Sequence, residues 1–196
     1  RLLFLLGKNN ADYIIVQSAS MLSILNDLGL SRKKLKIIAY KAREEPSIQN
    51  KPLRNTDEFL YISTAHPHKN HIKLIEAWCL LSKENLFPKL ILTIDKNTVL
   101  FQNIKTNIDE CKLNVEIRYL LHREEILELY SNSTALIYPS LFESYGLPLV
   151  EACHYKLPVI AAELDYVRDI LDPVETFDPN SAISIFRAVK RFLKIV

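Results

Sequence analysis

The chain has 196 residues, 48% of them apolar and 24% charged, which suits one domain, or one domain with part of another, and excludes a disordered segment. A net charge of +2, with lysines and arginines scattered along the chain, gives no nucleic-acid or membrane signal. The opening RLLFLLG is too short to span a bilayer, and polar KNNAD follows at once. The first residue is Arg1, not methionine, which leaves open a fragment or a processed chain.

The elements alternate from the start. DYIIVQS (12–18) reads as a buried strand. SASMLSILNDLGL is a helix, with Ser18 or Ser20 as candidate N-cap and Gly29 as candidate C-cap. SRKKLK reads as a solvated helix end, and KLKIIAY (34–40) as a second strand. KAREEPSIQNKPLRN (41–55) is polar, holds two prolines and lacks an apolar period, so it reads as a linker. Then come strand EFLYIS, helix HIKLIEAWCLLSKE, strand KLILTI, helix VLFQNIKTNIDECKL and strand VEIRYL. Helix REEILELYSNS, strand ALIYPS, helix LPLVEACHYK, strand PVIAA and short helix YVRDIL follow, and SAISIFRAVKRFLKIV closes the chain as a helix. Strands alternating with helices imply an α/β fold. Its sheet is parallel and Rossmann-like, with helices on both faces and ligands outside the carboxyl ends of the strands.

The cysteines (Cys79, Cys111, Cys153) are odd in number and far apart, and each is expected to pack as a small apolar side chain. HPHKNH (66–71) has neither cysteines nor a H-E-x-x-H pattern, so no metal site is expected there. With three glycines and no G-x-G-x-x-G, a nicotinamide or flavin site is disfavoured.

Three strand ends carry the candidate site. In YISTAHPHKN, Lys69 precedes a helix, where the macrodipole disfavours a cation unless an anion binds. A surface lysine in water explains it equally well. In RYLLHREE, Glu124 and Glu125 suit a first helical turn, and the strand-end backbone could hold a flat ring. In YPSLFESYGLPLVEACHYKLPVIAA, Pro148 suits the first helical position and Gly146 permits positive φ. Glu143 lies in the loop, and Glu151 in the first turn of the helix, where the dipole alone accounts for it.

This last stretch resembles the E-x7-E segment of retaining, GT-B-fold glycosyltransferases of family 4, also called group 1. HKN resembles the loop carrying the family's phosphate-binding lysine. REEILELYSNSTALIYPS, AELDYVRDIL and FDPNS resemble the flanking segments. The resemblance covers roughly residues 11–193. It implies a remnant of an N-terminal acceptor-side domain (1–43), a linker (44–55) and a C-terminal nucleotide-sugar-binding domain (56–196).

By the same resemblance, Glu143 and Lys69 are catalytic: Glu143 meets sugar hydroxyls and Lys69 stabilises the leaving diphosphate. Glu151 accepts from the ribose diol. The backbone of Ser144, Tyr145, Gly146 and Leu147 approaches sugar and phosphates, and the backbone around Tyr119 and Leu120 contacts the base. Where the family has G-R-L-x-x-x-K, this chain has Ser63, Thr64, Ala65 and then Lys69, so a phosphate-binding arginine is replaced by Thr64. His66 or His68 is a candidate to supply the missing charge. Leu120 and Lys156 stand where glycines are usual.

The implied activity transfers sugar from a nucleotide-diphosphate sugar to a glycan or lipid-linked acceptor, with no cofactor, no metal and no nucleic acid. Such enzymes make polysaccharides and glycolipids in the cytoplasm, commonly in peripheral association with the inner face of the membrane. The N-terminal domain's catalytic groups would precede Arg1, so the isolated chain is expected to transfer little or no sugar. The missing arginine favours the alternative of a degenerate, non-catalytic GT-B-like interaction module.

Overall fold

A computed structural model of the chain describes residues 10–38 and 57–195. The opening RLLFLLG and the linker read at 44–55 lie outside those residues.

The first described segment forms a small unit of its own. β1 (Ile14–Val16) pairs in parallel with β2 (Leu35–Ile37), and α1 (Ala19–Asp27) connects them. Ser18, not Ser20, caps α1, its hydroxyl accepting the Met21 N–H at 3.2 Å. SRKKLK forms a single 3-10 turn, Arg32–Lys34, rather than the end of a longer helix. Val16, Leu22, Leu30 and Leu35 make the buried centre of this unit.

The rest is one six-stranded sheet with helices between successive strands. In chain order these are β3 (Glu58–Tyr61), α2 (His71–Lys83), β4 (Lys89–Leu92), α3 (Val99–Glu110), β5 (Val115–Ile117), α4 (Arg123–Asn132) and β6 (Ala135–Tyr138). Then follow α5 (Leu147–His154), β7 (Val159–Ala162), α6 (Asp165–Arg168), β8 (Glu175–Phe177) and α7 (Ala182–Phe192). The strand order is β5-β4-β3-β6-β7-β8, and every pairing is parallel. This is the doubly wound order whose switch point lies between β3 and β6. Phe59 faces Ala135 across it, and Leu60 faces Leu136.

Every residue of β3, β6 and β7 is buried, which explains why their sequences run apolar without alternation. Glu58 is the exception to the apolar rule, and Lys89, opposite it in register, holds its carboxylate at 3.0 Å. Three strands differ from expectation. β1, read as buried, buries only Val16, with Ile15 exposed. VEIRYL is strand only as far as Ile117, because the chain turns with Leu120 at φ 54°. β8 was not expected, since ETF offers one fully buried side chain, Phe177.

The cysteines also differ. α2 and α3 lie side by side, bringing the Cα atoms of Cys79 and Cys111 to 5.5 Å, and the two sulfurs are bonded. Cys153 is exposed rather than packed.

With three glycines in the chain, helices must end on other residues. α1 ends on Gly29 at φ 83°, with Leu30 N–H donating to Leu25 and Gly29 N–H to Asn26. α5 ends with the same pair of bonds, Leu157 to Ala152 and Lys156 to Cys153, but the left-handed residue is Lys156 at φ 49°. Lys156→Gly is therefore expected to stabilise the fold by roughly 0.5–1 kcal/mol, the relief of a left-handed Cβ less the added chain entropy of glycine. Urea unfolding measures it; Lys156→Ala, which keeps the Cβ, should show no such gain.

Candidate active site

The switch point brings two loops together. The one after β3 carries Ser63, Thr64, His66, a 3-10 turn over Pro67–Lys69, and Asn70, which starts α2 in the left-handed region at φ 62°. The one after β6 carries Pro139 to Gly146. They are joined by Leu141 N–H to the His68 carbonyl at 2.8 Å and by the Asn70 amide to the Pro139 carbonyl at 3.1 Å. The Asn70 amide also reaches the Pro179 carbonyl at 2.7 Å.

Across this junction Lys69 Nζ meets Glu143 Oε1 at 2.6 Å, with the side chains 14% and 10% exposed. That depth decides against a lysine whose charge merely sits in water. Tyr138, the last residue of β6, donates its hydroxyl to the same Oε1 at 2.9 Å. Oε2 takes no partner among the described residues. Tyr61, the last residue of β3, donates to the Lys69 carbonyl at 2.6 Å and shares a hydrogen bond with Ser140 at 3.0 Å.

Glu151 is the fifth residue of α5 and so lies in its second turn rather than the expected first, and it is held from two sides. Tyr130 of α4 donates to Oε2 at 2.7 Å, and Arg123 donates to Oε1 at 2.6 Å. Burial first, and then the adjacent glutamate charge, push the phenols of Tyr138 and Tyr130 up. Both tyrosines therefore stay neutral donors.

A cleft of about 450 Å³ opens beside these groups. Thr64, Lys69, Tyr119, Leu120, Leu147 and Glu151 all line it, as do Ser63 and Thr93. Among the described residues Lys69 is the one cation in its lining. Among the expected residues, Glu143 sits on the far side of Lys69 and lines a second cleft of about 290 Å³ that faces α1. Ser144 turns toward the small unit, its carbonyl 3.5 Å from the Ser18 hydroxyl. Tyr145 is half-buried, and Gly146 is buried at φ 89°, a left-handed backbone that strains any Cβ, which would also press on Leu149 Cδ1 at 3.1 Å. Of the loop 144–147, then, Leu147 alone reaches the larger cleft.

His66 and His68 stack on each other with ring centroids 5.7 Å apart, and neither lines that cleft. His71, third of the HPHKNH histidines, turns away from them into the core at 1% exposure. Among the described residues, no group of three or more His, Cys, Asp or Glu is arranged to hold a metal ion. The N–H of His122 is occupied by the Glu125 carboxylate at 2.7 Å, so the strand-end backbone after β5 has one donor fewer than expected. Sequence reasoning missed Tyr130, Tyr138, Arg123 and His71. The two tyrosines carried a faint signal, one ending a strand and one on the inner face of a helix.

His71 accounts for an acid sensitivity. Burial, with Lys69 nearby, lowers its pKa from 6.5 to about 4. The unfolded chain thus takes up a proton first: stability is full above pH 6.5, falls as pH drops through that value and levels near 4. The loss is about 3 kcal/mol for this one group. Urea midpoints at pH 7 and pH 4.5 should differ less for His71→Gln than for the parent, and equal differences would contradict this source.

Comparison with known proteins follows the same outline. Residues 43–195 match the family described as glycosyl transferases group 1. Serotype-specific mannosyltransferase WbdA of Escherichia coli is 30% identical over 146 residues, 70% of this chain and 17% of that protein. O-antigen chain mannosyltransferase B of Escherichia coli is 29% identical over 147 residues, 71% of this chain and 38% of that protein. The chain thus spans well under half the length of these curated relatives. Among solved structures, Anabaena Alr3699/HepE in complex with UDP and glucose superposes with a TM-score of 0.78 at 19% identity, covering 99% of this chain and 57% of that one. TarM superposes with a TM-score of 0.78 at 19% identity, over 95% of this chain and 37% of that one. At such identities the likeness is one of fold, the doubly wound α/β sheet of GT-B glycosyltransferases. With the family match running over most of its length, this chain belongs to the glycosyl transferases of group 1.

Proposed function

We propose that the chain is the donor-binding part of a retaining glycosyltransferase of family 4, taking a nucleotide-diphosphate sugar as donor and a glycan or lipid-linked acceptor. The observation that carries this reading is the Lys69–Glu143 pair at the switch point, with Glu151 lining the same cleft as Lys69. A doubly wound sheet binds its ligand there.

Each group has chemistry suited to one part of such a donor. Lys69 is a cation fixed by Glu143, aimed where charge develops as the nucleoside diphosphate leaves the sugar carbon. Glu143 has Oε2 to offer a sugar hydroxyl. Glu151 offers the ribose diol a carboxylate that Tyr130 already orients, and the exposed Arg123 side chain is the partner a ribose would displace. Leu120 and Tyr119, exposed residues of the cleft's lining, would flank the base. The division into an acceptor-side remnant, a linker and a donor domain belongs to the same reading. So does action at the cytoplasmic face of a membrane; no helix among the described residues is long and apolar enough to cross one. The mannosyltransferase names of the relatives put a mannosyl donor first among those to assay. The intact pair of glutamates and Lys69 supports an enzyme over a bare interaction module.

Calorimetric titration of the chain with UDP, GDP and ADP tests the reading. One of them should bind, and Glu151→Ala and Lys69→Ala should each weaken it by roughly 10- to 100-fold, the worth of a hydrogen bond to a charged group. Glu143→Ala should weaken the matching sugar nucleotide more than the bare nucleotide. If none of the three nucleotides binds, the donor-site reading is wrong.

A further inference from the structure

Thr64 stands where the resembled family has an arginine, and among the described residues Lys69 is the one cation lining the cleft. Ser63 stands beside that gap, at the carboxyl end of β3. Its N–H donates to Thr93 Oγ1 at 3.1 Å, which fixes its backbone, and its hydroxyl lies 2.9 Å from Nε2 of His71.

The proton on the histidine decides what Ser63 can do. His71 is 1% exposed, and its Nδ1 is buried without a partner. With the proton on Nδ1, a buried N–H would be left unpaired, which is rare and costs about 1–3 kcal/mol. With the proton on Nε2, the bare Nδ1 is only an unused acceptor. An imidazolium is opposed by burial and by the ammonium of Lys69. Nε2–H therefore donates to Ser63 Oγ, and the serine proton points elsewhere. Among the described residues the acceptor left for it is the neutral Tyr61 oxygen, already engaged with Ser140. A phosphate oxygen is the stronger acceptor by virtue of its charge.

We propose that the Ser63 hydroxyl, held by His71, is a phosphate-binding donor of this cleft, and that with Lys69 it takes the place of an arginine at position 64. This rests on the donor-site reading above and names a residue that the reading does not. Ser63 is a binding residue. His71 is a positioning residue that acts through it.

The test compares nucleoside diphosphates with nucleosides on the 196-residue chain, by calorimetry for UDP, GDP and ADP and by ligand-observed NMR for uridine, guanosine and adenosine. Ser63→Ala should weaken the diphosphate that binds by about tenfold and leave its nucleoside unchanged. Ser63→Thr, which keeps the hydroxyl, should stay within about twofold of the parent. His71→Leu should lose several-fold in diphosphate affinity alone, and His71→Gln, with an amide N–H in reach, should recover part of it. Thermal melts confirm that each variant is folded. If the parent binds a diphosphate and folded Ser63→Ala binds it equally well, or loses the nucleoside to the same extent, the role of Ser63 is overturned and the donor site stands. If the parent binds no diphosphate, both fall.

Discussion

The structure turns on one ion pair. Lys69 and Glu143 are 74 residues apart in the chain and 2.6 Å apart in space, because β3 and β6 are neighbours at the switch point of the sheet. Taking two charges to near-burial costs more than their attraction returns unless further hydrogen bonds support them. The surrounding loops provide these. Tyr138 donates to the carboxylate, Tyr61 to the Lys69 carbonyl, and Asn70 in its left-handed conformation ties the β3 loop to Pro139 and Pro179. The junction is thus built to hold a charged pair still, which is what a site that must meet a multiply charged ligand requires.

The two glutamates are treated alike and differently. Each receives a hydroxyl from a buried tyrosine, Tyr138 for Glu143 and Tyr130 for Glu151. A neutral phenol orients a carboxylate without cancelling its charge. The cations then differ in depth: Lys69 is 14% exposed beside Glu143, whereas Arg123 is 45% exposed beside Glu151. An inward lysine is a fixed part of the site, and an outward arginine can yield to solvent or ligand. On the donor-site reading, this asymmetry would suit the two parts of a nucleotide sugar, phosphates that need a permanent cation and a ribose that needs only an acceptor.

The alternation of strands and helices was legible because each central strand is buried on both faces and so reads as an unbroken apolar run. β8 was not, since one buried phenylalanine in three residues leaves no pattern. Lys69 and Glu143 could be placed at strand ends from spacing alone. Their contact could not, because it depends on the strand order. The Cys79–Cys111 bond is of the same kind: it spans 32 residues and exists only because α2 and α3 pack side by side. Ser63 and His71 looked like a departure from a pattern and a loop histidine. Only the burial of the imidazole and the position of its unpaired nitrogen connect them.

Glu143 also stands between two clefts. On one side Lys69 faces the cleft lined by hydroxyls and Glu151; on the other, Glu143 itself joins Leu141, Phe142, Asp165 and residues of α1 around the smaller one. α1 is fastened to this wall at its amino end, where Asp169 accepts the Ser20 N–H at 2.8 Å and Ser18 reaches the Ser144 carbonyl. The carboxylate satisfies an orphan donor of the first helical turn and the dipole together. On the donor-site reading, this contact sets the distance between the small unit and the sugar end of the donor. The cationic cleft would keep the departing diphosphate on one side of Glu143. On the same reading the acidic and apolar cleft, lined by Asp27, Glu143 and Asp165, would repel that anion. Glu143, with one oxygen held by Lys69 and Tyr138, thus lines the smaller cleft while its ion-pair partner Lys69 lines the larger.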